Sequence, residues 1–144
     1  MADFRVVRAD WAHEQSRLSS VRRSVFIEEQ GVPEVLEWDA ADADAGTVHL
    51  LAIDRDGLAI GCARLLADGH IGRMAVLPGW RGRGVGRALL AAALNAAQAR
   101  GHRVVKLSAQ THAAGFYARA KFTVVGEAYQ EAGIEHVAME KSLD

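Results

Sequence analysis

Between residues 85 and 100 the apolar positions Leu89, Leu90, Ala93, Leu94 and Ala97 recur every three or four residues, the spacing of one helix face, and Gly101 follows where such a helix stops. Upstream the period shortens. Residues 48–53 and 59–66 form two apolar segments joined by Asp54-Arg55-Asp56-Gly57, a hairpin turn ending in Asp-Gly. Gly69-His70 turns the chain again into a strand at 71–76, which Pro78 closes. Nearer the start, Phe4 and Val6 mark a short first strand. Asp10 can cap a helix that carries Leu18, Val21, Val25 and Phe26 at helical spacing and ends near Gln30-Gly31. Residues 31–46 are acidic, hold Gly31, Pro33 and Gly46, and keep no period, which predicts a loop with room for one helical turn. Beyond the long helix the pattern predicts a strand at 104–109, a short helix at 113–120 and a strand at 122–125. A turn region with Gly126 and Gly133 and a last strand near 136–140 follow. Strands that begin as a meander and later alternate with helices predict an α/β architecture around a mixed sheet.

Composition narrows the choice of function. Half of the 144 residues are hydrophobic, enough for one compact domain over 1–144 with a single core. Seventeen basic against eighteen acidic residues give a formal charge of -1, so no long-range field draws the molecule to nucleic acid or an acidic membrane. Arg81, Arg83 and Arg87 lack the interleaved aromatics of a nucleic-acid surface. Any anion must therefore be bound locally. Cys62 is the only cysteine and cannot form an internal disulfide, and the N-terminal residues lack the apolar run of a signal peptide. No apolar stretch approaches the ~20 residues that span a bilayer. These features predict a cytoplasmic protein with no membrane partner.

Residues 80–87 supply the local anion site. Backbone amides converge on an anion only where side chains do not crowd them, hence glycines at a strand-to-helix turn. A P-loop would need Lys-Ser or Lys-Thr after its last glycine, and a dinucleotide fingerprint would need Gly-x-Gly-x-x-Gly at the first strand; neither is present. Arg81-Gly82-Arg83-Gly84-Val85-Gly86 instead resembles the Arg/Gln-x-x-Gly-x-Gly/Ala turn of the GNAT superfamily of coenzyme A-dependent N-acyltransferases, and Met74-Ala75-Val76-Leu77-Pro78 resembles its fourth strand and terminating proline. The resemblance implies a GNAT fold: a mixed, mostly antiparallel central sheet of six to seven strands with helices on both faces. It also implies acetyl-CoA as co-substrate, with its pyrophosphate on the turn formed by Arg81, Gly82, Arg83, Gly84, Val85, Gly86 and Arg87. A splay between the fourth and fifth strands would expose the backbone of Met74, Ala75 and Val76 to orient the acetyl group.

A second stretch, from Ser108 and Gln110 through Phe116-Tyr117 to Lys121-Phe122, resembles the segment that follows that turn in the family. By resemblance Tyr117 is the general acid that protonates the departing thiolate, and Gln110 faces the pantetheine arm or the acceptor. Lys121 departs from the glycine common before the phenylalanine and must avoid or tolerate a left-handed conformation. In the N-terminal half, Arg23 to Pro33 and Glu37-Trp38-Asp39, with the 133–139 segment, resemble the narrower ElaA-like and YjcF-like branch.

These matches imply an acetyl-CoA-dependent N-acetyltransferase that acts directly on a primary amine, of a small molecule or of a lysine or N-terminus. The alternative is a non-catalytic CoA-binding sensor with the same fold. A homodimer is common in the family. No glutamate stands on the 71–76 strand to take the amine proton. Glu28, His49 and His136 are the candidate bases, with a water chain as the other route. Asp39, Asp42 and Asp44 lack the spacing of a calcium loop and read as a solvated acidic loop, so no metal is expected. Cys62 reads as a small core residue. Trp11, Trp38 and Trp80 form no stacking platform, and Trp80 is expected beside the glycine turn.

Overall fold

The computed structural model describes residues 3–143. Strands β1 (Phe4–Ala9), β2 (Val48–Asp54), β3 (Ala59–Leu65) and β4 (Ile71–Val76) pair antiparallel in chain order. A second antiparallel sheet holds β5 (Val104–Gln110), β6 (Thr123–Glu131) and β7 (Ile134–Ser142), with β7 in the middle. The sheets meet at a parallel bridge between His70 and Lys106, where the Lys106 N–H donates to Gly69 O at 3.1 Å. Gly69 has φ +93°, and a Cβ there would stand 3.1 Å from Val104 O, so the close approach of the two chains requires glycine. Beyond this point β4 and β5 diverge, which is the splay that the sequence resemblance implies.

Helix α1 (Trp11–Arg22) covers one face of the first sheet, capped by the Asp10 carboxylate, which accepts from the Ala12 N–H at 3.1 Å. The chain then widens into π-helical turns over 23–29 in place of a continuous α-helix to Gln30. Helix α2 (Glu34–Glu37) is the single turn expected in the 31–46 segment, α3 (Val85–Ala99) covers the opposite sheet face, and α4 (Ala114–Arg119) is short. Because side chains alternate along β2, Leu50 and Ala52 join Leu89, Leu90 and Ala93 of α3, while Leu51 and Ile53 join Leu18 and Val21 of α1. Cys62 is 1% exposed in the α1-side core, and burial pushes its thiol up to about 12, so it packs and does not act as a nucleophile.

Three details differ from the sequence expectation. The strand expected at 122–125 runs on to Glu131 as an edge strand, and every residue of it is exposed, so no apolar alternation betrays it. Its partner β7 starts at Ile134, two residues earlier than expected. The turn between them uses Ala132 at φ +54° and Gly133 at φ +77°, the doubly positive pair of a tight hairpin. Lys121 takes the left-handed conformation itself, with φ +74°, while the N–H groups of Lys121 and Phe122 close the end of α4 on Ala118 O and Tyr117 O.

The acidic loop is the main correction. Asp44 is exposed, but Glu37 and Asp42 are each only 3% exposed. Arg22, 1% exposed, donates to Glu37 Oε2 at 2.8 Å and to Asp42 Oδ1 at 2.7 Å, with the rings of Trp11 and Trp38 centred 5.8 and 5.0 Å from its guanidinium carbon. Arg64 donates to Asp42 Oδ1 at 2.9 Å and grips Asp39 through two bonds of 2.8 Å, which holds the Asp39 carboxyl down at about 2. Arginines carried inward by α1 and β3 need counter-charges on the next segment of chain, and the loop acids supply them. Replacing Asp42 with Ala takes one counter-charge from each of two buried guanidinium groups, leaving Arg22 with Glu37 and Arg64 with Asp39. The expected loss of unfolding free energy is about 3–5 kcal/mol, measured by chemical denaturation, and a loss below about 1 kcal/mol, the ordinary scale of an exposed pair, contradicts this view of the cluster.

Candidate active site

The splay between β4 and β5 opens into a cavity of about 980 Å³. One end is the turn before α3. Gly82 and Gly84 hold φ values of +75° and +87°, and a Cβ placed on either would meet nothing within 4 Å, so the cradle is open and its backbone bare. Gly84 caps a helix of fifteen residues and supplies no side chain to its first N–H groups, which leaves them without a side-chain cap at the positive end of the helix dipole. Gly86 packs against α4, where a Cβ would make ordinary contact with Phe116 at 3.4 Å.

The three arginines of the turn divide their work. Arg81 lines the cavity but spends its charge on Glu29, which accepts from its two terminal nitrogens at 2.7 and 2.6 Å, while its Nε donates to Val76 O at 3.0 Å. It therefore ties the turn to β4 and to the π-helical segment. Arg83 lies off the cavity, stacked 4.0 Å over the ring of Trp80 and paired with Asp3 at 3.2 Å. Arg87 lines the cavity and makes no ion pair among the described residues, so its charge is free for an anionic ligand. Val85, expected in the cofactor turn, is buried in the core and does not line the cavity, because its side chain is drawn under α3.

Met74, Ala75 and Val76 line the strand wall, and Gln110 lines the opposite bank. The Gln110 amide donates to Gln30 Oε1 at 2.8 Å. Consecutive residues Glu29 and Gln30 thus bridge to both banks of the cleft, a role invisible in the sequence because each partner lies more than fifty positions away. Tyr117 also lines the cavity, its ring packed edge-on against Phe116 and Phe122 at 5.1 and 6.0 Å. Its hydroxyl has Met74 Sδ at 3.8 Å as its partner, and burial pushes it up to about 12. A phenol held protonated beside a weak acceptor is suited to giving up its proton to a stronger one.

Of the three histidine and glutamate candidates, one reaches the cavity. His49 lies in the buried charge cluster, stacked 5.0 Å from Trp11, with Nε2 donating to Asp42 O at 2.9 Å; desolvation lowers its pKa and keeps it neutral. Glu28 is exposed on the π-helical segment and is not a lining residue. His136 lines the cavity with its side chain 8% exposed. Its Nδ1 lies 2.7 Å from Ile134 O, and since a carbonyl only accepts, Nδ1 donates and the lone pair of the neutral imidazole is on Nε2. Glu131 Oε2 is 3.6 Å from Nε2, placed to stabilise an imidazolium.

Comparison with known proteins joins this geometry to a family. Residues 12–143 match the acetyltransferase (GNAT) domain model. The chain belongs to the GNAT acetyltransferase family. Protein ElaA of Escherichia coli is 32% identical over 88% of this chain and 86% of its own, and the N-acetyltransferase YjcF of Bacillus subtilis is 34% identical over 84% and 87%. The crystal structure of an acyl-CoA N-acyltransferase from Pseudomonas aeruginosa superposes with a TM-score of 0.85 at 33% identity, covering 96% of this chain and 99% of that one. GNAT membership makes this an acyltransferase and implies an acyl-CoA donor and an acceptor. No helix among the described residues is long and apolar enough to cross a membrane.

Proposed function

We propose that the protein transfers the acetyl group of acetyl-CoA directly to a primary amine, of a small molecule or of a protein lysine or N-terminus. The observation that carries this reading is that one cavity holds both the open glycine turn with Arg87 and, on the same walls, the phenol of Tyr117 and the imidazole of His136. In this reading the diphosphate of the donor rests on the N–H groups of 82–87, and the backbone of Met74 to Val76 polarises the thioester carbonyl. The neutral amine attacks the carbonyl carbon, so that a C–N bond forms as the C–S bond breaks. His136 Nε2 accepts the amine proton, with Glu131 facing the imidazolium that results, and Tyr117 gives its proton to the leaving thiolate. The products are the acetamide and free coenzyme A.

The test is thiol release from acetyl-CoA against a panel of polyamines, amino acids, aminoglycosides and lysine peptides. At least one class is expected to raise the rate more than tenfold over the amine-free background. With that amine, His136→Gln is expected to lower kcat/KM by a factor on the order of 10². Acetyl-CoA binding without acceleration by any amine class would overturn this reading in favour of a non-catalytic CoA sensor.

A further inference from the structure

Strand β4 contains an irregularity whose cause lies in the Arg73 side chain and the 36–39 segment, of which Leu36, Glu37 and Arg73 itself line the cavity. Cys62 pairs with Ala75 and Arg64 with Gly72, so between these pairs the single residue Ala63 faces both Arg73 and Met74. Arg73 carries the strain of that extra residue, with φ +46°, a conformation that a side chain disfavours. The bulge changes what the strand presents. In a regular strand Ile71, Arg73 and Ala75 would share one face and Met74 the other. Here Met74 and Val76 pack with Ile71 on the α3 side, and Ala75 turns under α1. A strand alternating regularly from Ile71 through Val76 would turn Met74 and Val76 to the face opposite Ile71.

Nothing local explains why a non-glycine residue accepts this conformation, but the Arg73 side chain does. Its Nε and one terminal nitrogen donate to Glu37 O at 3.3 and 3.0 Å, and the same terminal nitrogen reaches Leu36 O at 3.5 Å and Asp39 Oδ2 at 3.3 Å. Glu37 Oε2 lies 3.2 Å from Nε. Those partners are themselves fixed, because Glu37 and Asp39 are gripped by Arg22 and Arg64. On the backbone side, the Cys62 thiol donates to Arg73 O at 3.3 Å.

We propose that Arg73 is a positioning residue: its guanidinium, clamped on the 36–39 segment, holds the β4 bulge that turns Met74 and Val76 to the face of Tyr117 and the thioester. Its role rests on the acetyl-transfer reading above, and it links the 36–39 segment, whose Leu36 and Glu37 line the cavity, to the strand that orients the acetyl group. Arg73 lines the cavity but makes no hydrogen bond or ion pair with the glycine turn among the described residues, so donor affinity and turnover are expected to separate when it is changed.

The experiment compares Arg73→Ala with Arg73→Gly, measuring kcat, coenzyme A affinity and amide hydrogen exchange over residues 71–77. Alanine loses the clamp and keeps the strain, so kcat is expected to fall about 10- to 100-fold, the cost of misplacing groups by about 1 Å. Coenzyme A affinity is expected to stay within about threefold, and 71–77 to exchange faster. Glycine loses the clamp but accepts a positive φ without cost, so its kcat and protection are expected to lie between those of alanine and wild type. Wild-type kcat in Arg73→Ala, or equal loss of turnover and coenzyme A affinity in both variants, overturns the proposal. If wild type turns over no amine, the acetyl-transfer reading fails, and unchanged exchange over 71–77 in Arg73→Ala still refutes the clamp on its own.

Discussion

Tyr117→Phe lowers kcat by a factor on the order of 10² to 10⁴, the range for losing a general acid. Acetyl-CoA affinity stays within about threefold, well under the 1.4 kcal/mol of a tenfold change. The two effects separate because the lost atom does no structural work. The hydroxyl's partner is a thioether at 3.8 Å, while the ring keeps its edge-on contacts with Phe116 and Phe122. The wild-type pH profile follows from the same burial. A phenol pushed up to about 12 stays protonated through the neutral range, so Tyr117 adds no falling limb to kcat below pH ~10. Steady-state kinetics of both proteins across pH checks each part. Unchanged turnover in Tyr117→Phe removes this residue from the mechanism.

The second large effect falls on binding. Gly84→Val puts a β-branched side chain at φ +87°, at the N-cap of α3, where the backbone must stay bare for its N–H groups to meet a diphosphate. The strained conformation costs on the order of 1–3 kcal/mol, and the turn escapes it by rotating the amides out of convergence. The KM for acetyl-CoA is expected to rise more than tenfold, with a smaller change in kcat once the donor is saturating. The open space around the position matters to this prediction: nothing lies within 4 Å of the added Cβ, so the damage comes from backbone conformation and from the ligand. An unaltered KM means that the donor does not rest on this turn.

Much of this architecture is legible in the chain because period and punctuation agree. Leu89, Leu90, Ala93 and Ala97 announce α3, and all four are buried. Asp-Gly at 56–57 marks the hairpin, with Gly57 at φ +82°. The edge strand β6 is not legible, because a strand exposed along its whole length has no buried face to write an alternation into the sequence. Within the site, the glycines of the turn, Tyr117 and Gln110 all line the cavity. What escapes is pairing across distance. Asp42 looks like a solvated loop acid until Arg22 and Arg64 are seen to converge on it. Arg73 looks like one more strand residue until its bulge and its partners on the 36–39 segment are seen together. His49 shows the converse: a histidine beside an apolar run attracts a catalytic reading, whereas its imidazole is held in the buried charge cluster by Trp11 and the Asp42 carbonyl.

The central claim is that the amides after Trp80 hold a diphosphate and so bring a thioester to Tyr117. Calorimetric titration of acetyl-CoA into the protein tests it most directly. One site per chain is predicted, with a dissociation constant between about 1 μM and 1 mM, the usual span for an enzyme's substrate, and with binding weakened at least tenfold in Gly84→Val. No heat at millimolar acetyl-CoA, or equal binding by the wild type and Gly84→Val, contradicts it.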